Sequence, residues 1–155
     1  MWRHLITMTD SDFGKITGLW FGRDGEEWLL LTERETCYWS LVEGRALWTI
    51  PEAAGGEGIS PDGRVYRDMA SGLFYPLLGS HGGKLLLGEH PAGGRIAVDD
   101  GTGAVTVTDP DGSVTDLSQG EDFGNWRVAG FCESGERVFV AGPRCLVVHG
   151  KSSGR

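Results

Sequence analysis

Ile16-Thr17-Gly18-Leu19-Trp20-Phe21 leads into the turn Gly22-Arg23-Asp24-Gly25, and Glu27-Trp28-Leu29-Leu30-Leu31-Thr32 leads out of it. Thr36–Leu41 follows, then a turn at Gly44, then Arg45–Ile50. Each run is short, rich in aromatic and β-branched residues, and bounded by turn formers. Runs of that kind pair as an antiparallel meander joined by hairpins. Within Thr36–Leu41, residues Cys37, Trp39 and Leu41 fall on one face, because successive strand side chains point to opposite sides. Val105 and Val107 alternate with Thr106 and Thr108 in the same way. No window carries a 3.6-residue apolar period; a short helical turn fits only near Pro51–Ala54 or Asp10–Phe13. The expected fold class is all-β.

Composition agrees. Glycine accounts for 26 of 155 residues without a three-residue period. That excludes collagen and disfavours long helices, since each interior glycine costs a helix about 1 kcal/mol. The formal charge is −8 and the pI about 4.9, so no basic footprint exists for nucleic acid or an anionic membrane. No apolar run reaches the roughly 18 residues of a membrane helix. The first eight residues lack an apolar stretch of signal length, so the expected location is cytoplasmic. Cys37, Cys132 and Cys145 form no CxxC pair and are expected as buried thiols rather than a disulfide framework.

Turns ending in glycine recur at Asp24-Gly25, Asp62-Gly63, Asp100-Gly101 and Ser134-Gly135, with glycines 38, 38 and 34 residues apart. A second comparison, at an offset of 110, matches Asp12-Phe13-Gly14 with Asp122-Phe123-Gly124, Phe21 with Phe131, Gly25 with Gly135 and Glu26 with Glu136. The apolar triplet Trp28-Leu29-Leu30 matches Val138-Phe139-Val140. Both comparisons give a period near 37, within the range of propeller blades. Four units are expected, near residues 14–51, 55–89, 93–119 and 122–149, with three strands in the short third unit. The last unit contains Trp126–Cys132, Glu136–Ala141 and Arg144–His149 and lacks a fourth strand. Trp2–Met8 is unassigned and is expected to complete it, because an open ring leaves unpaired edges. Residues 1–150 are expected to form a single all-β domain and 151–155 a polar tail.

Gly58-Ile59-Ser60-Pro61-Asp62-Gly63-Arg64-Val65-Tyr66 resembles the Ser-Pro-Asp-Gly-(Arg/Lys) turn between the inner strands of WD-repeat and related bacterial β-propeller blades, most closely over Ile59–Tyr66. The resemblance implies an antiparallel meander forming a small β-propeller-like fold of about four short blades, closed by the N-terminal strand. A β-sandwich or barrel of short strands is the alternative.

Motifs for chemistry are sparse. The two Asp-Phe-Gly triplets have no accompanying kinase motifs and read as unit-entry turns. Asp109-Pro110-Asp111-Gly112-Ser113-Val114-Thr115-Asp116 groups carboxylates as calcium loops do, yet reads as a Pro-Asp-Gly hairpin turn. His4, His81, His90 and His149 show no zinc spacing. No metal, no cofactor and no catalytic residue are expected. Trp20, Trp28 and Trp39 are expected in the core. Trp48, beside Pro51 near a loop, is the best candidate for exposure, and Trp48, Tyr75 and His81 are the candidate ligand- or partner-binding residues. The expected role is a non-enzymatic protein-interaction module, its acidic surface suited to binding or neutralising a basic protein. Self-association through sheet edges is a further expectation. The alternative is an enzyme or small-ligand binder with a site at the ring centre or in a Trp-lined pocket.

Overall fold

A computed structural model describes residues 2–50, 58–61, 64–68, 71–79, 88–92, 94–99, 101–117 and 122–151. The strands are β1 (Trp2–Thr9), β2 (Ile16–Phe21), β3 (Glu27–Thr32), β4 (Thr36–Ser40), β5 (Arg45–Ile50), β6 (Val65–Arg67), β7 (Phe74–Pro76), β8 (Leu78–Gly79), β9 (Glu89–His90), β10 (Gly94–Val98), β11 (Val105–Thr108), β12 (Val114–Asp116), β13 (Val128–Phe131), β14 (Arg137–Ala141) and β15 (Cys145–Lys151). One helical turn, α1 (Asp10–Phe13), follows β1 at one of the two places the sequence allows.

The strands form four antiparallel sheets, none of them closed into a barrel. The first has the order β5-β4-β3-β2-β8, the second β6-β7, the third β12-β11-β10-β9 and the fourth β1-β15-β14-β13. The fourth contains the pairing expected from the ends of the chain. Trp2 lies opposite Lys151 and Thr9 opposite Cys145, with a bulge between His4 and Ile6.

Two unit boundaries differ from expectation. Leu78 and Gly79, placed in the second unit, pair instead with Leu19 and Gly18 of the first sheet. Gly18 permits this, because a Cβ there would lie 3.2 Å from the Leu78 carbonyl oxygen. The third sheet has four strands rather than three, since Glu89–His90 joins Gly94–Arg95.

The repeat is visible in backbone hydrogen bonds. Gly22 N donates to the Glu27 carbonyl, Ser60 N to Val65, Asp99 N to Ala104 and Cys132 N to Arg137, at 2.8, 2.9, 2.8 and 3.0 Å. All four close a turn from residue i to i+5. The offset of 110 holds for further bonds: Leu41 N to Glu26 and Lys151 N to Glu136, then Thr32 N to Glu35 and Gly142 N to Cys145. Gly25 and Gly135 both take positive φ, 68° and 79°, as their shared place in the turn requires. The third turn departs from the proposed alignment. Its positive-φ glycine is Gly103 rather than Gly101, and Asp99 holds the turn by accepting from Gly101 N and Thr102 N.

Alternating side chains stack the sheets. Val138, Val140, Cys145 and Val147 of the fourth sheet pack with Ile96, Val105 and Val107 of the third. Phe139, Ala141, Leu146 and Val148 emerge on the other face and meet Leu19, Trp28 and Leu30 of the first. Leu29 and Leu31, on the far face of the first sheet, meet Tyr66 and Leu77. Strands covered on both faces therefore read as continuous apolar runs, whereas β11, covered on one, alternates Val with Thr.

The N-terminal strand is latched as well as paired. Trp2 Nε1 donates to Asp109 Oδ1 at 2.8 Å, tying the fourth sheet to the turn that follows β11. Asp109–Gly112 forms that turn, with Gly112 N bonded to the Asp109 carbonyl at 2.9 Å and Asp111 accepting from Ser113 N. Trp2→Phe leaves Asp109, 9% exposed, without this donor. The expected loss is about 1–3 kcal/mol, read by urea denaturation.

His4 lies opposite His149, the rings edge-on at 5.8 Å. His149 is half-buried and its Nδ1 has no partner. Burial, then the neighbouring His4, hold its pKa below the ordinary value of 6.5. The unfolded chain therefore takes up this proton first. The stability contributed by neutral His149 is complete above that value and is lost as pH falls below it. Melting temperature should drop as pH falls through and below 6.5, and His149→Gln should flatten that part of the profile.

Candidate functional site

Strand register builds one row of side chains across the first sheet. Trp20 on β2 lies opposite Leu29 on β3, Leu29 opposite Tyr38 on β4, and Tyr38 opposite Trp48 on β5. Directly opposed residues share a face, so all four project to the side away from the fourth sheet. A bulge sets the last step. Tyr38 pairs with Trp48 and Trp39 with Ala46, leaving Leu47 as the extra residue. That residue brings Trp48 onto the same face as Tyr38.

Leu29 is fully buried and forms the floor. The rings stand higher. Tyr38 and Trp48 stack at 5.7 Å with planes 21° apart. Trp20 packs on Tyr75 of β7 at 4.6 Å, and Tyr75 on Tyr66 of β6 at 6.2 Å. The second sheet thus extends the aromatic face. Trp48 is 38% exposed and Ile50 39% exposed, both on the edge strand β5.

At the hairpin end of this face is a recess of about 230 Å³, walled by Trp20 and Tyr38 and lined by Arg23, Asp24, Glu26 and Glu27. The Gly22–Gly25 turn that carries Arg23 and Asp24 is held against the fourth sheet, Ser134 N donating to the Arg23 carbonyl at 3.0 Å. A Cβ on Gly25 would lie 2.5 Å from Arg137 Cγ, so only glycine fits this approach. Glu27 lies beside Tyr38, and both line the recess. Burial first, then the charge of Glu27, raise the Tyr38 pKa to about 12. Burial also raises Tyr66 and Tyr75, with Asp68 adding to both. On the opposite face of β4, burial pushes the Cys37 thiol up to about 11, with Glu35 adding to the shift. That thiol stays protonated at neutral pH and is no nucleophile.

Two of the candidate residues therefore belong to one surface. Trp48 and Tyr75 are not in ring contact with each other; Trp48 stacks on Tyr38 and Tyr75 on Trp20. His81 lies outside the described residues. Trp28 is fully buried as expected, whereas Trp20 and Trp39 are only partly buried. Trp20, Tyr38 and Glu27 escaped selection because their proximity arises from pairing between strands. One signal was available: the alternation that placed Cys37, Trp39 and Leu41 together also put Tyr38 on the other face.

Elsewhere, a recess of about 290 Å³ lies beside His4, His149 and Asp116. Among the described residues, no group of three or more His, Cys, Asp or Glu side chains is placed to hold a metal ion. No helix among them is long and apolar enough to cross a membrane. No protein-family model matches the chain, and no characterised protein is significantly similar to it in sequence.

Glu27→Gln removes the charge but keeps the size of its side chain. The Tyr38 pKa should then fall from about 12 toward the ordinary 10.0, with burial and the neighbouring Tyr75 still holding it up. Ultraviolet titration of tyrosinate checks this.

Proposed function

We propose that this chain is a non-enzymatic protein-interaction module of small, propeller-like build that binds a basic partner through the aromatic face of its first sheet. Four sheets stacked face to face, the four equivalent turn closures and completion of the last sheet by the first strand support the propeller-like part. The Ile59–Tyr66 resemblance to WD-repeat and related blades is consistent with it. A cytoplasmic setting suits three cysteines that form no disulfide.

The observation that carries the binding role is the Trp20–Tyr38–Trp48 row ending on an exposed edge strand. Partly exposed large aromatics on a rigid sheet offer contact area at low entropic cost, and aromatic anchors dominate interface energetics. The excess of carboxylates in the chain favours a positively charged partner through long-range steering. The same edge favours a second reading, in which Leu47, Trp48 and Ile50 of two copies pair along β5.

Affinity capture separates these. Wild-type protein on a support should retain a basic protein at about 50 mM salt and release it at about 500 mM, as screening predicts. Trp48→Ser should lose that retention without loss of folding. Retention unchanged in Trp48→Ser would remove the aromatic face from the proposal. A dimer in light scattering that Trp48→Ser dissociates would favour self-association instead.

A further inference from the structure

We infer that the recess between Trp20 and Tyr38 receives one cationic side chain, a guanidinium or an alkylammonium, from an extended basic segment. This rests on the reading of the first sheet as a binding face and names the group that anchors the partner there.

The two rings stand on strands separated by one intervening strand. At the usual strand spacing that places their backbones about 10 Å apart, and both side chains line the same recess. Attraction to an aromatic face acts within about 6 Å of the ring centre. Both residues line the recess, so a group entering it meets the Trp20 and Tyr38 rings.

Charge selects the occupant. Asp24, Glu26 and Glu27 line the recess with one opposing guanidinium, Arg23. Glu27 stands on the same face as Leu29 and Tyr38, and its charge is already felt at the Tyr38 hydroxyl, whose pKa it helps to raise. An uncharged planar group gains the ring contacts but not the carboxylates; a cation gains both. The volume of about 230 Å³ suits a single side-chain head rather than a folded element.

The probe is acetyl-Gly-Arg-Gly-amide, titrated into the whole chain at low salt and followed by NMR. Its control is the same peptide with citrulline, which keeps the shape and lacks the charge. The expected result is saturable shifts of the Trp20 indole and the Tyr38 ring. The citrulline peptide should bind about tenfold more weakly, and Glu27→Gln should weaken the arginine peptide by a similar factor. Trp20→Leu should abolish the shifts; Glu27→Gln serves as the test should that variant unfold. Equal binding of the citrulline peptide overturns the inference. So does tighter binding of neutral maltohexaose at the same residues, or the absence of shifts at Trp20 and Tyr38. If a basic protein is retained through Trp48 while the peptide leaves Trp20 unmoved, the binding face stands and the recess falls. If the peptide binds and no basic protein is retained, the recess stands and the wider reading falls.

Discussion

A β-sheet with two apolar faces cannot stand alone in water, and this constraint organises the molecule. In the fourth sheet, Val138 and Val140 point one way and Phe139 and Ala141 the other, and each face finds a neighbour. Burying one such side chain is worth about 1.5–3 kcal/mol, so an uncovered face would cost more than a domain's net stability. The third sheet covers one side and the first sheet the other. The first sheet carries the same demand forward, since Trp28 and Leu30 face the fourth sheet while Leu29 and Leu31 face Tyr66 and Leu77.

Closure of the fourth sheet by β1 follows from the same demand. Without β1, one edge of β15 would be left unpaired beside a fully apolar strand, an arrangement that invites aggregation. Trp2 does more than pair: its ring joins the apolar layer shared with the third sheet and its indole N–H reaches Asp109. A contact across 107 residues of sequence therefore holds two sheets together.

The aromatic face is what remains where stacking gives way to solvent. Cover for the first sheet is complete over Leu29 and Leu31 and incomplete toward β5, where Trp48 and Ile50 are exposed. Aromatic rings in that zone are held from below by buried leucines and from the side by one another. Carboxylates of the Gly22–Gly25 hairpin and of Glu27 border them. A rigid apolar platform with a charged rim needs no conformational change to be presented.

Local order along the chain determined a good deal. Runs of six residues between glycine turns dictated antiparallel hairpins, and their recurrence at an offset of 110 reappears as equivalent hydrogen bonds. The place of Trp48 beside Pro51 and a loop marked it as the candidate for exposure, and the unassigned segment Trp2–Met8 pointed to its partner. Tertiary structure alone decided the rest. Whether Leu78 pairs within its own unit or with Leu19 depends on which edge lies nearer in space, and no local pattern encodes that. The Trp20–Leu29–Tyr38–Trp48 row depends on the registers of three strand pairs and one bulge at Leu47. A one-residue slip in any of them would turn those rings to the opposite face, and register is set by how whole sheets pack.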